Sequence, residues 1–145
     1  MTTHPGAVAS PGERLAALFG GTPDIPIPGL VRRLGIEVTE ARAERVTGLA
    51  PASASVLVLA ETLGSVAAML YAHPAMLPLG GTLHASHLGE GTEPPEDGRW
   101  IGVATPLHLG ERTTVHRIEI TSGDGTPRCE ARLTCFLIPP KDPPR

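Results

Sequence analysis

The chain has 145 residues, a formal net charge of -3 and only 3% aromatic residues. That length suits one domain with a real hydrophobic core. The charge excludes a basic nucleic-acid surface, and so few aromatics leave little for single strands to stack on.

Residues 1–12 are rich in small residues, Pro and Gly, and read as a disordered leader. They lack the basic and apolar regions of a signal peptide. Pro11 to Phe19 fits a short helix with Ser10 as N-cap and Pro11 in the first turn. Pro23, Pro26 and Pro28 make Gly20 to Gly29 an extended loop, and Leu30 to Leu34 fits a helical turn ending at Gly35.

Ile36 to Thr39 and Arg45 to Leu49 read as two strands around a turn near Ala41 to Glu44. A long helix follows, from Ser53 or Ser55 to Ala72, and Pro74 stops it. This stretch approaches membrane-span length, but Glu61, Gly64 and Ser65 interrupt it, and Pro51 and Pro74 bracket it. A buried core helix fits better than a span.

His73 to Pro78 reads as a loop, followed by four strands at Gly81 to Leu88, Trp100 to Leu109, Thr113 to Ser122 and Arg128 to Ile138. In the third, Val115, Arg117, Glu119 and Thr121 alternate with His116, Ile118 and Ile120. Gly123-Asp124-Gly125 is a hairpin turn, Gly89 to Gly98 a polar loop, and residues 139–145 a flexible tail. Residues 13–138 then form a single domain of α+β class, a curved antiparallel sheet wrapped around one long central helix. Cys129 and Cys135 share a strand face but lie too far apart for a disulfide within that strand. Free thiols point to a cytoplasmic protein.

Glu61 is the only Asp, Glu, Lys or Arg between Arg45 and Glu90. A carboxylate in apolar surroundings is costly unless hydrogen-bonded, paired or neutral, which marks it as a candidate working group. The competing reading is a solvated helix face or a subunit contact.

The stretch Leu59-Ala60-Glu61-Thr62-Leu63-Gly64-Ser65-Val66-Ala67 resembles the catalytic helix of hotdog-fold acyl-CoA thioesterases. The nearest type is the 4-hydroxybenzoyl-CoA and dihydroxynaphthoyl-CoA thioesterase branch that uses a glutamate. Gly81 to Leu88 is similar to that branch's Gly-x-Glu-Leu-Asn-Ala-Asn-His strand, with the first asparagine falling on His84 and the second on Ser86. Gly102 to Thr113 resembles its Gly-x-Ala-x-Pro-Leu-His-x-Gly-x-x-Thr segment. The resemblance runs from about Leu30 to Ile138.

It implies a hotdog fold and a homodimer or homotetramer with the site between subunits. Glu61 would be nucleophile or general base, and Ser65 a hydroxyl partner one turn later on the same face. Coenzyme A or phosphopantetheine thioesters, free or on an acyl carrier protein, would be substrates, with no cofactor.

Family members carry a glutamine and then His-Gly-Gly before the helix, where N–H groups form an oxyanion hole. Here Ala52-Ser53-Ala54 stands in that place and the glutamine has no counterpart. The N–H groups near Ala54 and Ser55 are the expected remaining donors. Gly64 and Ala68 are expected to leave room for the acyl group, and Ser86 to line it.

Arg112 and Arg128 flank the last hairpin and could bind coenzyme A phosphates or an acidic carrier, although solvated surface arginines are the commoner case. His84 and His87 are three apart in a strand, so they face opposite ways, and no metal site is expected. Acyl-thioester hydrolysis is the favoured function. Its rivals are a thioester-binding enzyme that uses Glu61 for addition, cyclisation or isomerisation, and a catalytically inactive binding protein.

Overall fold

A computed structural model describes residues 31–89 and 98–141. The expected leader, the Pro11–Phe19 helix, the Gly20–Gly29 loop, residues 90–97 and the last four residues of the tail lie outside the described residues. The elements are β1 (Glu37–Arg42), β2 (Arg45–Pro51), α1 (Val56–Ala72), β3 (Leu77–His87), β4 (Arg99–Leu109), β5 (Thr113–Ser122) and β6 (Pro127–Ile138). The sheet order is β1-β2-β4-β5-β6-β3, and every neighbouring pair is antiparallel. The helix packs against all six strands, the arrangement expected of a hotdog fold.

Alternation sets which strand face meets the helix. Thr114, His116, Ile118, Ile120 and Ser122 are buried on β5, as are Cys129, Ala131, Leu133, Cys135 and Leu137 on β6. The intervening Arg117, Glu119 and Glu130 lie on the outer face and pair there, Arg117 Nη2 reaching Glu119 at 2.9 Å and Glu130 at 3.3 Å. The β5–β6 turn forms where Gly123-Asp124-Gly125 places it. The Asp124 carboxylate accepts from Ser122 Oγ at 2.6 Å and from Thr126 N at 3.0 Å. These bonds, led by Ser122, hold its carboxyl down at about 2.

The helix begins at Ser55, whose Oγ accepts from Leu57 N at 3.2 Å. It ends at His73, in extended backbone ahead of Pro74, because proline disfavours the helical conformation of the residue before it. Tyr71 ties this end to the sheet by donating to the Gly110 carbonyl at 3.1 Å. Gly110 belongs to the Pro-Leu-His-Leu-Gly segment, which forms the end of β4 and its turn into β5.

Leu63 is fully buried. It packs over Gly48 and Gly102, ladder partners on β2 and β4, where an added Cβ would stand 2.7 Å and 2.5 Å from its methyls. Burying such a side chain stabilises by roughly 1.5–3 kcal/mol.

Two boundaries differ from expectation. The turn after β1 is only Ala43-Glu44, because Arg42 and Arg45 already pair. β3 begins at Leu77, inside the expected loop, and absorbs Pro78 and Gly80-Gly81. β3 is an edge strand of the sheet, where a residue without an N–H is tolerated. The two glycines mark a register shift opposite β6 rather than the start of the strand.

Candidate active site on the central helix

Glu61 lies on the exposed side of α1, with Leu57 one turn before it and the half-buried Ser65 one turn after. It is not enclosed by apolar groups within the protomer, so the expected burial is absent in the single chain. Its carboxylate hangs over the edge of the sheet. Glu61 Oε1 is 4.0 Å from where a Cβ on Gly80 would stand. Gly80 pairs with Cys135, whose thiol is pushed up chiefly by burial and further by the charge of Glu61. Glu61 and Ser65 share a face as their i, i+4 spacing requires, but no hydrogen bond joins them.

Gly64 and Ala68 do not line open space. Both are buried, and a Cβ on Gly64 would stand 2.7 Å from Leu133 Cδ2, 3.1 Å from its Cβ and 3.3 Å from Ile118 Cδ1. The small residue at 64 serves close helix–sheet contact, which is a correction to the expected acyl room. Ser86 pairs with Glu130 on the outer face of the sheet, so within one protomer it faces away from the helix. His84 also faces outward opposite Arg132, whereas His87 faces the helix side opposite Cys129.

The segment before the helix forms a tight turn. Ala52 N donates to the Gly98 carbonyl at 2.7 Å, and Ala54 N donates to the Pro51 carbonyl at 2.9 Å. The Ala54 N–H is therefore committed to the turn, contrary to its expected role as a donor. The N–H groups of Ser55 to Val58 precede the helical ladder, which begins with Leu59 N donating to the Ser55 carbonyl, and that of Leu57 is taken by Ser55 Oγ. Val56 emerges only from the observed cap position.

Ser55 and Val56 line a cavity of about 380 Å³ together with Ala52, Ala54, His87, Gly89, Trp100 and Arg128. The cavity does not include Glu61, which lies six residues further along α1, about 9 Å of rise. Its carboxylate is at Gly80, seven residues along β3 from His87 at the cavity, roughly 23 Å at about 3.3 Å per residue. Arg128 is thus at the cavity. Arg112 is at the opposite end of β6, its carbonyl accepting from Leu137 N. Nine residues of β6 separate Arg128 from the level of Arg112, roughly 30 Å at about 3.3 Å per residue, so one phosphate cannot bridge them. Among the described residues no cluster of three metal-binding side chains occurs.

No family model matches the chain. It is 38% identical over 99 residues to the 1,4-dihydroxy-2-naphthoyl-CoA hydrolase of Escherichia coli strain K12, across 68% of this chain and 69% of that one. It is 33% identical over 132 residues to the proofreading thioesterase EntH of Cronobacter sakazakii, across 87% of this chain and 93% of that one. A mutant of thioesterase PA1618 from Pseudomonas aeruginosa superposes with a TM-score of 0.69 at 28% identity, over 87% of this chain and 94% of that one. The chain belongs to the hotdog-fold thioesterase family. It is by class an enzyme that hydrolyses acyl thioesters.

Proposed function

We propose that this protein hydrolyses acyl thioesters of coenzyme A or of an acyl carrier protein, with Glu61 as the reacting carboxylate. The supporting observation is the exposed Glu61 carboxylate, held over Gly80 with Ser65 one turn along the same helix face. Glu61 takes a proton from water as the oxygen attacks the thioester carbon. The tetrahedral oxyanion collapses, the C–S bond breaks, and the thiolate recovers the proton. A carboxylic acid and a thiol result. Ser65, one turn away, positions the water or the carboxylate.

The relatives named above as a dihydroxynaphthoyl-CoA hydrolase and a proofreading thioesterase support an acyl-CoA or carrier-bound substrate. No metal or cofactor takes part in this reading. Turnover of an acyl-CoA panel by the native chain and by Glu61→Gln tests it. Loss of hydrolysis in the variant is expected, and unchanged activity removes Glu61 from the mechanism.

The active assembly in this reading is a homodimer or homotetramer. Among the described residues β3 is an open edge of eleven residues, mostly exposed and free of Asp, Glu, Lys and Arg, suited to pairing with a second copy. A second chain there would also cover Glu61, whose neighbour Gly80 is on that strand. Leu79 and its ladder partner Phe136 are each 51% exposed on the outer face, which supports a further sheet-to-sheet contact in a tetramer. The two buried free cysteines fit a cytoplasmic setting. Among the described residues no helix is long and apolar enough to cross a membrane.

The commitment of the Ala54 N–H favours a second reading, in which the thioester is bound but processed by addition, cyclisation or isomerisation with Glu61 as base. Product analysis in the same panel separates the two: free thiol appears only on hydrolysis.

A further inference from the structure

The outer face of the sheet carries its charge in two neighbouring rows that run across the strands. One row is acidic: Glu40, Thr47, Val103, Glu119, Glu130 and Ser86 follow one another from β1 to β3 as ladder partners. The other is basic: Thr105, Arg117, Arg132 and His84 are partners across β4, β5, β6 and β3, and Arg42 and Arg45 continue the row on β1 and β2. Like charges directly opposite each other weaken a sheet, yet Arg117 faces Arg132 and Glu119 faces Glu130. The Arg117 guanidinium serves both carboxylates, Glu119 at 2.9 Å and Glu130 at 3.3 Å. Arg132 is exposed, and no carboxylate among the described residues pairs it. Beside the acidic row the face sinks into a hollow of about 370 Å³, lined by Ile101, Val103, Glu119, Thr121, Pro127 and Glu130. Apolar walls next to carboxylates suit an arginine, with its stem on the walls and its guanidinium on the acids.

We propose that this face docks on the same face of a second copy, turned end to end about a two-fold axis that crosses the strands between the two rows. That axis lays the basic row of each copy over the acidic row of the other. Arg132 of one copy meets Glu130 of the other, Arg117 meets Glu119, and each contact occurs twice. An axis along the strands would instead lay basic on basic and acidic on acidic. Stacked sheets lie about 10 Å apart, a gap that an arginine and a glutamate reaching toward each other span. The unpaired Arg132 then gains a carboxylate, and the like-charge ladder pairs become complementary across the interface. The proposal rests on the sheet-to-sheet contact in the reading above and gives that contact its register.

Sedimentation of the full chain tests this with two charge reversals. Arg132→Glu sets a carboxylate opposite Arg117 in the ladder, and Glu130→Arg sets a guanidinium opposite Glu119. Each change improves pairing inside the protomer, so neither is expected to lower the melting temperature. Between copies each creates two like-charge contacts. Either variant is expected to split the native assembly into halves, with the dissociation constant raised at least about tenfold. Equimolar mixing of the two variants restores opposite charges at every contact, and the full mass is expected to return. Halves that stay apart on mixing overturn the proposal. A tetramer that neither substitution splits overturns the register and keeps the sheet-to-sheet contact. A dimer that neither splits, or a native monomer, overturns both.

Discussion

The two sides of α1 obey different rules. On the side facing the sheet, Leu59, Leu63, Gly64 and Ala67 are buried and fitted to particular neighbours, down to the absence of a side chain at Gly64. On the other side, Leu57 and Glu61 stand exposed, with Ser65 half buried beside them. Packing dictates the first set. Nothing among the described residues explains the second, and this is where the proposed chemistry lies. A single helix can serve both tasks because i, i+3 and i+4 positions fall on one stripe and leave the opposite stripe free.

The largest expected effect tests the open side. Glu61→Gln should cut hydrolysis about a thousandfold, within the usual contribution of a general base, and leave the melting temperature unchanged. A clear loss of stability in steady denaturation would mean that Glu61 holds the fold, and the contrast between the sides would collapse.

The next test probes the polar groups beneath the helix. His116 is 0% exposed, both ring nitrogens lack partners, and burial pushes its pKa down to about 4. The native state therefore resists a proton that the unfolded chain accepts near 6.5. Stability from this group is complete above pH 6.5 and is lost as pH falls through 4, by roughly 3 kcal/mol. His116→Phe should flatten that part of a pH–denaturation profile. An equally steep profile in the variant would assign the acid sensitivity elsewhere.

Gly64→Val sharpens the comparison from the closed side. The new side chain meets Leu133 and Ile118, and overpacking of this kind costs about 1–3 kcal/mol. Urea denaturation should show that loss, while the folded fraction keeps its kcat. The smallest effect belongs to Ser65→Ala, where one hydrogen bond of about 1 kcal/mol is at stake. Turnover should slow about fivefold without a change in melting temperature. A loss as large as that of Glu61→Gln would reverse the roles of the two residues.

Much of this architecture was legible in local pattern. The alternation of Val115 to Ile120, the Gly123-Asp124-Gly125 turn and the Pro74 stop depend on neighbours in sequence, and the elements formed there. The i, i+4 rule placed Glu61 and Ser65 on one face. It could not say whether that face was covered, because cover comes from strands far away in the chain. The same limit hid the sheet contact that makes Gly64 a packing residue. Ala54 seemed to offer a donor because its carbonyl partner, Pro51, is revealed only by the shape of the turn.

The long β3 edge has a consequence for the life of the chain in a cell. Leu77 to His87 carries none of the charged residues that keep exposed strands apart, and Pro78 is its main interruption. If β3 pairs with a second copy as proposed, a newly made chain presents that edge uncovered before any other copy reaches it. Dilute or slowly made protein spends longest in that state, and there chaperones and proteases compete with assembly for each chain.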